Sequence, residues 1–186
     1  YSEYSTEAFS LHASGYLLKP VSTEQIEEEL ENLRHPVQLQ NGNKLQARTF
    51  GNFEVYVDGE PLSFRYSKTK ELFAYLIDRE GAVCSNKELM SVLWESDEPH
   101  LSYIQKIRKD LQNVLEESGC GEVFVSKWGG CGINTDVIDC DYYDWIAGKP
   151  YAINAYRGEY MTQYSWAEIT HGSLEYEFRK NLEGHE

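Results

Sequence analysis

Long apolar runs are missing from this 186-residue chain. None approaches the ~18 consecutive apolar residues that a bilayer-spanning helix needs, and no secretory signal pattern opens it. The four cysteines (Cys84, Cys120, Cys131, Cys140) include no CxxC pair and lie far in sequence from the five histidines, so zinc-site spacing is absent. Cations are scarce: 17 Lys and Arg stand against 31 Asp and Glu, a net charge of −14 that excludes indiscriminate nucleic-acid binding. These absences leave a cytoplasmic protein with reduced, mostly buried thiols, no metal and no cofactor as the expectation.

With 41% hydrophobic and 26% charged residues, the chain has the balance of an ordinary globular protein, long enough for one or two domains. The charge is uneven. Residues 1–35 hold 2 basic and 7 acidic groups, 36–135 hold 11 and 14, and 136–186 hold 4 and 10. The middle is therefore near balance, and any DNA contact must be local to it. The first residue is Tyr1, not Met, within what reads as a helix, so the chain is expected to be a piece of a longer protein.

In the middle, LSYIQKIRKDLQNVL (101–115) places Leu101, Ile104, Ile107, Leu111, Val114 and Leu115 at helical spacing, which predicts one buried stripe. Ser102, Gln105, Lys106, Lys109 and Asn113 project from the opposite face. Side chains of these types reach phosphates as cations and base edges as donors and acceptors. EVFVSKWGGCGINT (122–135) follows with a Gly-rich hairpin pattern. A solvated surface helix gives the same periodicity, so the neighbouring elements decide between the two readings.

Those elements come in a definite order. LQARTFGNFEVYVDG alternates around Phe53, Val55 and Val57 and turns at Asp58-Gly59, and EPLSFRY offers a third strand with Leu62 and Phe64. SKTKELFAYLIDREG (67–81) predicts a helix capped by Ser67 and stopped by Gly81, and Ser85 with Glu88 starts another over 85–96. A small antiparallel sheet, three helices and a hairpin is the expected α+β architecture. Residues 1–35 read as helix, strand, helix, with Phe9 and Leu11 on the first helix and a Ser22/Gln25 capping box opening the second. Residues 36–43 read as a polar linker.

Two resemblances follow. YSEYSTEAFSLHASGYLLKPVSTEQIEEEL is similar to the last third of a two-component receiver domain. That resemblance implies switch and phosphoryl-contact roles for Tyr16 and Lys19, but the phosphoacceptor strands are absent from this chain. The order SKTKELFAYLIDREGAVCSNKELMSVLW, IQKIRKDLQ and a hairpin ending CGIN resembles the OmpR-type winged-helix effector domain, more closely its SARP-like branch. It implies a helix in the major groove with the hairpin over the adjacent minor groove or backbone. The wing departs from the family: Lys127-Trp128 stands where an Arg is usual, and Ile133 where an aromatic follows the last Gly.

The resulting division is 1–35 receiver remnant, 36–43 linker, 44–140 winged-helix domain and 141–186 short helical extension. The function expected is a sequence-specific double-stranded-DNA-binding regulator, the output part of a response regulator, without catalysis. Base contacts fall to Ser102, Gln105, Lys106 and Lys109, with Arg108 nearer the core reaching a phosphate or an acid. Lys68, Lys70, Lys87, Lys127 and Trp128 complete the DNA-binding set. RNA polymerase, a sensor histidine kinase and a second copy of the chain are the other expected partners. The alternative is a protein-interaction module that uses the acidic flanks and aromatics.

Three further motifs weaken on inspection. Asp136, Asp139, Asp141 and Asp144 lack the mid-loop Gly and terminal Glu of a calcium loop. Gly129-Gly130-Cys131-Gly132 lacks the Lys-Ser/Thr and helix start of a phosphate loop. The aromatics of 142–166 have too few cations among them for a single-strand stacking platform, so packing is expected of them. Because the phosphoacceptor is absent, the chain is expected to take up no phosphate from acetyl phosphate. Stoichiometric labelling of an Asp, read by intact mass, would overturn the receiver assignment.

Overall fold

The computed structural model describes residues 21–23, 25–26, 44–94 and 101–183. Tyr16, Lys19, Phe9, Leu11 and the linker lie outside these residues. The capping box does not: Gln25 N donates to Ser22 Oγ at 3.3 Å, and Ser22 N donates to Gln25 Oε1 at 3.0 Å.

A four-stranded sheet forms one layer. β1 (Leu45–Arg48) and β2 (Glu54–Val57) are antiparallel, and β2 turns through Asp58 and Gly59 into the two-residue β3 (Glu60–Pro61). Both turn residues have positive φ, 52° and 84°, the backbone that a two-residue hairpin demands and that Asp-Gly supplies. The expected third strand is short, ending at Pro61, although Leu62 N donates to the Val55 carbonyl at 2.8 Å. Leu62 and Phe64 still pack on the core.

The sheet is not purely antiparallel as expected. A fourth strand, β7 (Ile138–Cys140), lies parallel to β1 on its free edge. Three residues are too few for an alternation signal, and their partner lies some ninety residues earlier in the chain, so local sequence gives no sign of the pairing.

Three helices share one core with this sheet: α1 (Ser67–Asp78), α2 (Asn86–Leu93) and α3 (Leu101–Glu117). Ser85 caps α2 as expected, accepting from Glu88 N at 3.2 Å. Ser67 does not cap α1; Tyr66 occupies that place and supplies no side-chain bond. The stripe of α3 is buried at Ile104, Ile107, Leu111 and Leu115, with Val114 partly so. Leu101, expected on that stripe, is exposed. A second sheet orders β4 (Cys84–Ser85), β6 (Gly130–Ile133) and β5 (Phe124–Lys127), so the hairpin is held by a third strand just before α2. All four cysteines are buried and free.

The C-terminal extension comprises α4 (Asp141–Ile146), α5 (Pro150–Ala155) and α6 (Glu168–Glu183), and it shares the core of the winged helix. Residues 159–162 run antiparallel to the continuation of β1: Met161 N donates to Thr49 O at 2.8 Å and Gly51 N to Glu159 O at 3.1 Å. Three tyrosine hydroxyls grip the end of α1, Tyr143 on the Ile77 carbonyl, Tyr160 on Asp78 and Tyr142 on Glu80. Tyr142, Tyr156 and Tyr160 are buried, so these aromatics are core. Their burial pushes the phenol pKa values up.

Asp141 fastens this extension. Instead of serving as the N-cap of α4, where Cys140 stands, its carboxylate reaches across the sheet. It accepts from Thr49 N (2.8 Å), Thr49 Oγ1 (2.7 Å), Phe50 N (3.2 Å) and Tyr142 N (2.9 Å). Burial pushes its pKa up against the pull of these donors. Asp141→Ala takes the acceptor from three backbone N–H groups, those of Thr49, Phe50 and Tyr142, and is expected to cost about 2–4 kcal/mol in urea denaturation. Glu60→Ala, on the exposed β3, should stay within about 0.5 kcal/mol. Equal midpoints for the two variants would refute the fastening role.

Candidate nucleic-acid interface

The buried stripe of α3 dictates its outer row. With Ile104, Ile107 and Leu111 inward, Ser102, Gln105, Lys106, Lys109 and Asn113 face solvent. Lys106 is steadied rather than free: its ammonium sits 4.7 Å from the Tyr66 ring centroid and 6.0 Å from that of Tyr103. Trp94 meets Tyr103 edge-on at 5.4 Å, and Lys68 Nζ lies 5.5 Å from the Trp94 ring. This aromatic bracket joins the starts of α1 and α3 to the end of α2. Sequence reasoning missed it, because the rings are far apart in the chain and no periodicity links them.

The expected cations divide into two groups. Lys87, Lys106, Lys109 and Lys127 are exposed and have no ion-pair partner among the described residues. Lys68 instead donates to Glu71 at 2.7 Å and to the Leu93 carbonyl at 2.6 Å, tying α1 to the end of α2. Lys70 pairs with Glu54 of β2 at 2.9 Å. Both are committed to intramolecular partners.

Arg108, expected to reach a phosphate or an acid, does neither. Its guanidinium turns inward, giving Nη1 to Asn86 Oδ1 at 2.7 Å and Nη2 to the Gly130 carbonyl, with Nε buried. One side chain of α3 thereby braces both the start of α2 and the wing. Thr69, at the start of α1, is fully buried, and its hydroxyl donates to Asp110 of α3 at 2.6 Å. Asp110 and Asn86 are thus site-positioning residues that sequence patterns did not single out.

On the wing, Lys127 and Trp128 are both exposed, Trp128 completely. The turn puts its left-handed residue at Gly129 (φ 74°), and a Cβ on Gly130 would collide with the Cys84 carbonyl. Gly129 is required by its backbone conformation and Gly130 by its packing. Among the described residues, no group of three His, Cys, Asp or Glu side chains could hold a metal ion.

These elements define a mixed α+β fold of winged-helix type, with small sheets on either side of three helices. No protein-family model matches the chain, and no curated protein does. Two solved chains match. One is Mycobacterium tuberculosis EmbR in complex with a low-affinity phosphopeptide, at 17% identity and a TM-score of 0.57. The match covers 73% of this chain and 43% of EmbR, so the chain spans less than half the length of that protein. At this identity the likeness is one of fold. No helix among the described residues is long and apolar enough to cross a membrane.

Thr69→Val keeps the shape of the buried side chain and removes the hydroxyl that satisfies Asp110. It is expected to lower stability by about 1–3 kcal/mol in thermal or urea unfolding. A variant as stable as the parent would show that Asp110 does not depend on this bond.

Proposed function

We propose that this chain is a sequence-specific double-stranded-DNA-binding transcriptional regulator, the output part of a two-component response regulator, with α3 in the major groove. The observation that carries this reading is the exposed row Ser102, Gln105, Lys106, Lys109 on a helix whose other face is locked into the core. Ser102 and Gln105 offer donors and acceptors to base edges, while Lys106 and Lys109 reach a guanine edge or a phosphate. Lys87 and Lys127 contact the backbone on either side. Lys68 and Lys70 act through the fold, holding α1 to α2 and β2. With four lysines in the set that have no ion-pair partner among the described residues, the logarithmic salt slope of binding is expected to be modest, about −3 to −4.

The finer assignments belong to the same proposal. Residues 1–35 are a receiver remnant with Tyr16 and Lys19 as its switch pair, and a sensor histidine kinase acts on the full-length protein. The protein works as a homodimer in the cytoplasm and engages RNA polymerase. A second reading, a protein-interaction module, draws on Ile169 and Tyr176, which are exposed seven residues apart on α6.

Selection from a random duplex pool followed by Lys106→Ala with Lys109→Ala tests the proposal. The double variant should fold as the parent does yet lose at least tenfold in affinity, and each lost phosphate contact should lower the salt slope by about one. Undiminished binding by the folded double variant across a range of salt would remove α3 as the reading head.

A further inference from the structure

The tip of the wing carries an indole with no neighbour to cover it: Trp128 is 104% exposed. A floppy turn would let so large an apolar ring fold back onto the protein surface, because leaving it in water is unfavourable. This turn is fixed from three sides. Asn86 N, at the start of α2, donates to the Gly129 carbonyl at 2.9 Å. Arg108 of α3 holds the next carbonyl, Gly130, and also Asn86 Oδ1. Gly130 itself lies directly against the Cys84 carbonyl of β4, with no room for a Cβ. The indole is thus presented on a rigid mount, and the residue that steadies it sits on α3 between Gln105 and Lys109. Aromatic rings preorganised in this way are binding anchors, since little ordering entropy is left to lose when the partner arrives.

We infer that Trp128 is an apolar wedge that enters the minor groove and opens a base step of the bound duplex, with Arg108 as the positioning residue that fixes its approach. The inference rests on the DNA-binding reading of α3. The partner follows from what surrounds the ring. The ring's chain neighbours, Ser126, Lys127 and Gly129, are polar or bare and all exposed, and supply none of the further apolar and aromatic side chains that make the core of a protein interface. A two-residue turn fits a groove about 6 Å wide that excludes a helix, and an exposed Lys127 beside the ring suits the flanking phosphates. Apolar side chains inserted there partly unstack a step and bend the duplex, most cheaply at a flexible pyrimidine–purine step.

The test uses the duplex that the parent chain selects from a random pool, shortened and dye-labelled at both ends so that energy transfer reports bending. The parent should bend it. Trp128→Ala should bind about ten- to a hundredfold more weakly and leave the duplex straight, and Trp128→Phe should recover most of both effects. Arg108→Met should lose part of the affinity and bend, and adding Trp128→Ala to it should cost no more than Trp128→Ala alone. Asn86→Ala replaces Arg108→Met in that comparison if the latter unfolds, and additive losses would remove Arg108 as the positioning residue. Trp128→Ala binding and bending like the parent, while the Lys106/Lys109 double variant fails to bind, would overturn the wedge and leave the DNA-binding reading intact. It would leave the indole to a protein partner. If the parent selects no duplex at all, the DNA-binding reading falls and the wedge falls with it.

Discussion

Burial of one stripe of α3 is the constraint on which the rest of the molecule depends. Ile104, Ile107, Leu111 and Leu115 are fully removed from solvent. At roughly 1.5–3 kcal/mol for each such side chain, no arrangement that rotated the helix would survive the loss. Fixing that stripe fixes the rotation of α3 to within a fraction of a turn, and so decides which polar side chains can meet anything outside the protein. Which side chains make up the outer face is a by-product of the core.

Polar contacts then set what burial leaves loose. Hydrophobic packing is non-directional and does not by itself fix how far α2 or the wing slides along α3. Directional contacts do this for all three helices: Arg108 holds α2 and the wing to α3, Thr69 to Asp110 holds α1 to α3, and Lys68 to the Leu93 carbonyl holds α1 to α2. Each joins a helix to a segment distant in sequence. Asp141 does the same for the C-terminal extension, which is therefore continuous with the winged helix in its hydrogen bonding as well as its core. With other cations used as internal struts, the exposed lysines that have no ion-pair partner among the described residues, Lys87, Lys106, Lys109 and Lys127, lie on the α2, α3 and wing surfaces.

The aromatic residues serve two purposes that composition alone cannot separate. Tyr142, Tyr156 and Tyr160 fill the seam between the extension and the sheet, with Tyr142 and Tyr160 rings 5.1 Å apart and their hydroxyls satisfied by carboxylates of α1 and its end. Tyr66, Tyr103 and Trp94 bracket cations at the surface. Trp128 does neither.

Periodicity and punctuation in the sequence determined the helices, the Asp58-Gly59 hairpin, the Ser85 cap and the outward row of α3, because each depends on residues within a turn or two of one another. The sequence also showed that any nucleic-acid surface had to be local to the middle of the chain, since charge is a sum that needs no coordinates. Tertiary structure alone decided the parallel pairing of β7 with β1, the reach of Asp141 to Thr49, and which cations remain available. Lys68, Lys70 and Arg108 look like contacts in a linear pattern and become braces once Leu93, Glu54, Asn86 and Gly130 are brought beside them. A charged side chain several bonds long takes whichever partner lies within its reach, and that partner is chosen by packing between residues that the sequence keeps far apart.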